Sequence, residues 1–226
     1  MKELTLDGRR VLIESRGKGG AALYHAISHE EDGEEENLVQ RILKLTRLRD
    51  WTLIAFLTPD WDRELSPWET SDGGRRFAGE GGKTLSWLVK NAPEIEREYG
   101  CTARGIGGYS LSGLFALWAF YESGFFGGAA SCSGSLWFPD WDKYAETHRA
   151  ESPSAVYLSL GVKEEKTKNA LMSSVGDRTR RQAELLALDP LVKERELVWH
   201  GGGHFTQPDV RTAQGFAWLA EKLTAL

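Results

Sequence analysis

The sequence predicts an α/β fold in which a mostly parallel sheet is covered by helices on both faces. After an opening hairpin, short apolar segments alternate with longer segments of helical periodicity along the whole chain. The segment 51–57 (Trp-Thr-Leu-Ile-Ala-Phe-Leu) is apolar at nearly every position, which is typical of a strand buried on both faces of a parallel sheet. No internal repeat or linker is visible, so we expect one domain spanning residues 1–226.

The individual elements follow from turn residues and periodicity. Asp7-Gly8, a pair typical of tight turns, joins strands at 4–6 and 10–14 into an antiparallel hairpin. Further strands are predicted at 21–27, 51–57, 102–107, 127–133, 155–160 and 195–199. Helices are predicted at 38–48, 84–99, 111–122, 169–188 and 211–226. Gly100 ends the second of these helices, and Pro93 kinks or divides it.

One connection, from residue 58 to residue 82, is much longer than most. Loops of this length inside a compact domain are usually functional or disordered. Two Trp and two Pro residues lie in its first half and argue against disorder. We therefore expect an ordered loop near a functional site.

Composition and charge exclude several classes of partner. With 226 residues, of which 41% are hydrophobic, the chain can form one soluble domain with a substantial core. The net charge of −5 provides no basic surface for nucleic acid or anionic lipid, so neither partner is expected. The first residues are charged where a signal peptide would be apolar, and no segment approaches the roughly 18 apolar residues of a membrane span. We expect a cytoplasmic protein.

Neither the cysteines nor the acidic residues form a metal-binding pattern. Cys101 and Cys132 lie in separate segments, and we expect free, mostly buried thiols in a reducing compartment. Residues 29–36 (His-Glu-Glu-Asp-Gly-Glu-Glu-Glu) are predicted to be a solvated loop, because their carboxylates are not spaced as metal ligands. No metal ion or organic cofactor is expected.

The segment 107–113 (Gly-Gly-Tyr-Ser-Leu-Ser-Gly) lies between a predicted strand and an apolar helix. A serine at the tip of such a turn is presented to substrate, while its neighbours must be small so that strand and helix can approach. Ser110 is therefore the candidate nucleophile. Ser112 stands where the pattern G-x-S-x-G usually has its second glycine, and we expect it to act only as a small residue.

Two further groups follow later strands and complete a candidate catalytic set in the order Ser, acid, His. A serine needs a base to take its proton, and the base needs a carboxylate to orient it. His204 is preferred over His200 as the base, because its glycine-rich loop can reach the serine. Glu164 is the first choice for the acid. The other candidates for the acid are Glu165, Asp177 and Asp189, and a Ser–His pair with only a weakly coupled acid also remains open.

Acyl transfer also needs backbone N–H groups that stabilise an oxyanion. The first should belong to Leu111, directly after the nucleophile. The second is expected from the loop after the 51–57 strand, at Asp60 or Trp61. The residues expected to line an aromatic substrate pocket are Trp61, Trp68, Tyr109 and Trp137. For each tryptophan the alternative is a place in the hydrophobic core.

Five segments resemble the group of α/β-hydrolase esterases that includes esterase D and the enterochelin-esterase-like enzymes. They are residues 59–68, 108–117, 133–137, 159–161 and 203–205, within a similarity that covers roughly residues 50–220. The resemblance implies an α/β-hydrolase fold without a cap domain and a serine carboxylesterase with Ser110 and His204 as catalytic residues. Members of this group often carry Asp or Glu in the turn after Gly161, where this chain has Val162, so the acid stays open between Glu164 and Glu165.

Together these observations predict hydrolysis of a small-molecule carboxylic ester through an acyl-enzyme on Ser110, with His204 as general base. Two alternatives use the same fold. An acyltransferase would pass the acyl group from the same serine to an alcohol. A catalytically silent binder would hold a small ligand without forming the acyl-enzyme.

Overall fold

The structure of the chain, a computed structural model, describes residues 1–28, 34–72 and 74–226. Most of the acidic segment that was predicted to be a solvated loop lies outside the described residues, and its last part belongs to a helix that begins at Glu34. The strands in the described part are β1 (Lys2–Leu6), β2 (Arg9–Arg16), β3 (Ala21–Ile27), β4 (Trp51–Leu57), β5 (Glu69–Ser71), β6 (Arg76–Ala78), β7 (Ala103–Tyr109), β8 (Gly128–Cys132), β9 (Ser154–Gly161) and β10 (Val192–His200).

The helices cover the sheet that these strands form. They are α1 (Glu34–Leu45), α2 (Trp61–Glu64), α3 (Gly81–Tyr99), α4 (Leu111–Ser123), α5 (Trp141–Thr147), α6 (Ala170–Ser173), α7 (Val175–Leu188) and α8 (Pro208–Leu223). Within the described ranges, no helix is both long enough and apolar enough to cross a lipid bilayer.

Eight strands form one sheet in the order β1-β2-β4-β3-β7-β8-β9-β10. The pairs β1–β2 and β2–β4 are antiparallel, and every later pair in this order is parallel. The remaining two strands, β5 and β6, form a small antiparallel hairpin of their own. The predicted fold class is confirmed, including the N-terminal hairpin.

Side-chain alternation along the strands divides the core between the two faces of the sheet. In β3, Ala22 and Tyr24 belong to the cluster that contains the buried residues of α3 and α4. Ala21 and Leu23, on the opposite face, belong to the cluster that contains those of α1 and α8. Because successive strand residues point to opposite faces, each strand supplies both cores.

The strand order creates a crevice at the carboxyl end of β3. The chain passes from β3 to β4 on one side, and later returns to place β7 on the other side of β3. The loops that leave β3 and β7 therefore diverge, and open α/β sheets bind their ligands at such a point. Thr58, which follows β4, remains close to this edge because its N–H donates to the Ile27 carbonyl at 2.7 Å.

Helix α4 is buried along eleven consecutive residues, from Leu111 to Tyr121. Its N-terminal turn approaches the strands so closely that Gly113 has no space for a side chain. A Cβ atom there would lie 2.9 Å from the Gly108 carbonyl oxygen and 3.2 Å from the Cys132 carbonyl oxygen. A glycine is therefore required at this position if α4 is to begin directly behind the turn.

Three features of the fold add to the sequence predictions. Helix α3 is continuous across Pro93, and it buries Leu88 and Ala92 before the proline and Ile95 after it. The stabilisation from this packing on both sides of Pro93 exceeds the cost of the backbone hydrogen bond that a proline cannot donate. The long connection at 58–82 contains α2 and the β5–β6 hairpin. Gly100 ends α3 with a left-handed backbone (φ 71°), as predicted.

Substitution of Gly113 by alanine should test the close contact between α4 and the strands. We expect Gly113→Ala to lower the free energy of unfolding by about 1–3 kcal/mol, since the new methyl group overlaps backbone atoms that cannot move away. Urea unfolding followed by circular dichroism measures this change. Gly82→Ala is the matched control, because a Cβ atom there meets nothing within 4 Å beyond its own helix. Equal stability of the two variants would contradict the close approach.

Candidate active site

Ser110 occupies the sharp turn between β7 and α4. Its backbone has φ 58° and ψ −121°, a conformation that residues other than glycine rarely adopt. Ser112 closes the turn, since its Oγ accepts a hydrogen bond from the Tyr109 N–H at 2.9 Å and donates one to the Tyr109 carbonyl at 2.8 Å. The turn presents the Ser110 side chain at the carboxyl edge of the sheet. This is the geometry of a nucleophile elbow.

His204 lies over this serine, with its Nε2 atom 3.0 Å from Ser110 Oγ. Its other ring nitrogen, Nδ1, lies 2.7 Å from Oε2 of Glu164. Because an ionised carboxylate can only accept, this contact assigns the proton to Nδ1 and leaves Nε2 to accept from the serine hydroxyl. The tautomer is therefore the one that a general base needs.

The Glu164 carboxylate is almost completely buried, with 4% of its side chain exposed. Its second oxygen, Oε1, accepts hydrogen bonds from the Gly161 N–H at 2.7 Å, Ser133 Oγ at 2.8 Å and Arg211 Nη1 at 3.1 Å. Burial opposes ionisation, but the hydrogen bonds from His204, Ser133 and Gly161 outweigh it, so that the pKa of Glu164 lies below its ordinary value. The carboxylate is thus held in its charged form.

The alternative acids and the alternative base lie elsewhere. Glu165 pairs with Arg180 at 3.0 Å, and Asp177 pairs with the same arginine at 2.9 Å. Asp189 accepts from the Ala150 N–H at 2.7 Å. His200 is not part of the pocket lining, and its buried Nε2 has no hydrogen-bond partner among the residues that the structure describes. The structure brings together Ser110, His204 and Glu164.

Ser135 and Arg211 belong to the site but were not among the sequence candidates. Ser135 Oγ lies 3.3 Å from Ser110 Oγ, and its N–H donates to the Ser110 carbonyl at 3.0 Å. Arg211 contacts the candidate acid. A signal for it was present in the sequence, because Arg211 falls on one helix face with Gly215 and Leu219, and that face is buried in α8. A charged residue on the buried face of a helix needs a specific partner.

A cavity of about 780 Å³ opens in front of Ser110. It is bounded by the ends of β3 and β7, the loop after β4, the N-terminal part of α8 and the His204 loop. The residues of its wall that matter for the chemistry are Ser28, Trp61, Arg75, Tyr109, His204 and Phe205. Its volume is within the usual range for a small-molecule site.

The predicted aromatic pocket needs correction at two positions. Tyr109 and Trp61 do line the cavity, but Trp68 and Trp137 do not. Trp68 donates from Nε1 to the Pro139 carbonyl and packs edge-on against Phe138, and Trp137 packs against Phe77. Both therefore pack against the hydrophobic core, Trp68 from the connection that contains the β5–β6 hairpin and Trp137 from the connection after β8.

Phe205, the residue after His204, has 92% of its surface exposed. Its ring lies edge-on to the His204 ring, with 5.2 Å between the centroids, at the rim of the cavity. The residue is therefore available to a ligand in the cavity.

The backbone N–H groups predicted to form the oxyanion hole are not equally available in the structure. The N–H of Leu111 opens α4, where no carbonyl of a preceding turn can accept it. The Asp60 N–H instead donates to Glu64 Oε1 at 3.1 Å, and Asp60 caps α2 without lining the cavity. Trp61, the other candidate, does line it.

The two cysteine thiols carry little reactivity. Cys132 is buried, and its burial raises the pKa of the thiol to about 12. Cys101 is partly buried, and its pKa is also raised by burial. In the described part of the chain, no group of three or more His, Cys, Asp or Glu side chains could hold a metal ion.

Solved structures provide the comparison that decides the fold. A siderophore hydrolase, EstA from Aspergillus nidulans, superposes with a TM-score of 0.75 at 15% identity, over 95% of this chain and 90% of that one. An IroE-like serine hydrolase from Shewanella oneidensis gives 0.73 at 15% identity, over 94% and 76%. The enterochelin esterase from Shigella flexneri gives 0.65 at 17% identity, over 93% of this chain and 54% of that one. No protein-family model and no curated protein sequence matches.

The chain has the α/β-hydrolase fold. The resemblance stated from the sequence motifs is confirmed at the level of the fold. Strand β3 pairs directly with β7, and Ser28 at its end lines the cavity.

His25 in β3 provides a test of the burial of the site floor. Its Nδ1 lies 3.3 Å from the Gly107 carbonyl and its ring lies edge-on to Phe216. Burial lowers the pKa of His25 from 6.5 to about 4. Between these pH values the unfolded chain binds more protons than the folded protein, so stability falls as the pH is lowered from 6.5 towards 4.

On acidification the His25→Gln variant should lose less unfolding free energy than the wild type. We expect this difference to be at most about 3 kcal/mol. The measurement is the difference in unfolding free energy between the variant and the wild type at pH 7 and at pH 4.5. His148→Gln, outside the cavity, is the control. The interpretation of a buried neutral imidazole fails if the His25 variant loses stability on acidification as steeply as the wild type does.

Proposed function

We propose that this chain is a serine hydrolase that cleaves a carboxylic ester of a small molecule through an acyl-enzyme on Ser110. The observation that carries the proposal is the continuous hydrogen-bonded series from Ser110 through His204 to Glu164, at the floor of an open cavity. The similar solved structures, of a siderophore hydrolase, a serine hydrolase and an enterochelin esterase, support ester hydrolysis as the reaction.

Acylation begins when Nε2 of His204 takes the proton of the Ser110 hydroxyl and Oγ attacks the ester carbonyl carbon. The resulting oxyanion accepts a hydrogen bond from the Leu111 N–H and from a second donor at the carboxyl edge of the sheet. As the tetrahedral intermediate collapses, the bond to the alcohol oxygen breaks. The proton on His204 passes to that oxygen, and the alcohol leaves.

Deacylation repeats these steps with water in place of the serine. His204 takes a proton from a water molecule, and the hydroxide attacks the acyl carbon. Collapse of the second intermediate releases the carboxylic acid and returns the proton to Ser110. Throughout, Glu164 stays ionised, holds the Nδ1 proton of His204 and stabilises the imidazolium that forms in each half-reaction.

The cavity wall favours an uncharged ester with an apolar or aromatic group. Aromatic rings at its rim come from Trp61 and Phe205. In the described part of the wall, the charged side chains are Arg75, which pairs with Asp62, and Asp209, which pairs with Arg41. Their charges are therefore largely compensated before a substrate binds.

Replacement of Ser110 by alanine should abolish the chemistry. We expect Ser110→Ala to lower kcat/KM for p-nitrophenyl acetate by about 10⁴-fold or more, because the attacking oxygen is lost. A fluorophosphonate probe should label the wild type and leave the variant unlabelled. Ser86→Ala, at an exposed serine of α3, is the control and should behave as the wild type. Undiminished hydrolysis by the Ser110 variant would contradict the mechanism, and absent labelling of the wild type would favour a silent binder.

The two adjacent glutamates form a matched pair of variants for the acid. We expect Glu164→Gln to lower kcat by about 10³- to 10⁴-fold with little change in KM, since the amide cannot stabilise the imidazolium. Glu165→Gln should retain wild-type kcat, because Glu165 pairs with Arg180 away from the site. Steady-state kinetics with the same ester measures both. The reverse ranking of the two variants would assign the acid to Glu165.

A further inference from the structure

Arg211 is a charged residue in an unusual position. It lies in the first turns of α8, and only 3% of its side chain is exposed. Removing a guanidinium from water is costly unless acceptors surround it, and Arg keeps its charge in proteins. The contacts of Arg211 therefore indicate the role of this buried charge.

All the acceptors of the Arg211 guanidinium are parts of the candidate active site or its loops. Nη1 lies 3.1 Å from Glu164 Oε1, 3.2 Å from Ser133 Oγ and 3.2 Å from Tyr109 Oη. Nη2 donates to the Gly201 carbonyl at 2.9 Å. These partners follow or end four different strands, β9, β8, β7 and β10.

One side chain thus connects the segments that carry all three members of the candidate triad. Tyr109 precedes Ser110, Glu164 is the acid itself, and Gly201 lies in the loop of His204. Tyr109 closes the connection, because its Oη donates to the His204 carbonyl at 2.6 Å. A planar guanidinium with several fixed donors can hold such a set in register, whereas an ammonium group cannot.

The contact of Arg211 with Glu164 acts on the same set. The two oxygens of Glu164 divide their partners, with Oε2 on His204 and Oε1 on Arg211. Arg211 therefore helps to fix the orientation of the carboxylate that in turn orients the His204 ring.

We propose that Arg211 is a positioning residue of the reaction, which aligns Glu164 and His204 with Ser110. This inference rests on the proposed serine-hydrolase function. Arg211 does not line the cavity, so its effect should appear in kcat and not in KM.

The first test is Arg211→Met, which keeps most of the apolar stem and removes the charge and the fork of donors. With p-nitrophenyl acetate we expect kcat to fall by about 10- to 100-fold, since a small misplacement of the base is costly. KM should change little. The rate of fluorophosphonate labelling should fall by a similar factor, because labelling of Ser110 uses the same aligned base.

Arg211→Lys separates the charge from the geometry, and it carries the test if the Met variant does not fold. We expect a lower kcat, by about 3-fold or more, because the ammonium group cannot bridge the four segments. A Lys variant with wild-type kcat would overturn the positioning role, and so would a folded Met variant with wild-type kcat.

The control is a second arginine–glutamate pair remote from the site. Arg104, at the opposite end of β7, pairs with the buried Glu96 at 2.6 Å. Arg104→Met should lower stability and leave kcat and KM unchanged. Ser110→Ala, measured in parallel, separates the two proposals. Activity that persists without Ser110 contradicts the proposed function itself, whereas an inactive Ser110 variant beside an Arg211→Met enzyme of wild-type kcat overturns only the role of Arg211.

Discussion

The close contact between β7 and α4 is the constraint on which the site depends. Ser110 has a positive φ angle, which for such a residue costs of the order of 1–3 kcal/mol. The surrounding backbone holds it there, because the Ser110 N–H donates to the Cys132 carbonyl at 3.1 Å and its carbonyl accepts from the Ser135 N–H at 3.0 Å. The buried length of α4 supplies the packing that opposes this strain.

A second constraint is the burial of an ion pair beneath the histidine. Taking both Glu164 and Arg211 out of water is unfavourable, and it is tolerated only where hydrogen bonds satisfy the two groups. Here Oε1 of Glu164 accepts from a serine, a backbone N–H and the guanidinium. The network orders the loops after β8, β9 and β10 together. Helix α8 thereby links the packing of one face of the sheet to the geometry of the candidate catalytic residues.

Local patterns were sufficient for some predictions and insufficient for others. Gly113 and Ser110 were recognisable because a sharp strand-to-helix turn needs small residues at fixed spacing. The sequence could not assign Trp68, Trp137 and Phe205, because an aromatic residue in a loop suits a pocket, a core or an exposed rim equally well. Their burial depends on the β5–β6 hairpin and the His204 loop, whose conformations follow from contacts with distant segments.

The sequence by itself determined the fold class, the order of strands and helices along the chain, and the position of the nucleophile turn. These follow from hydrophobic periodicity and from the turn residues, which act over a few neighbouring positions. Only the tertiary structure decided the strand order β4-β3-β7, the choice of Glu164 over Glu165, and the contact of Arg211 with that carboxylate. Each of these joins residues that are remote along the chain, and sequence periodicity contains no information about which strand ends become neighbours.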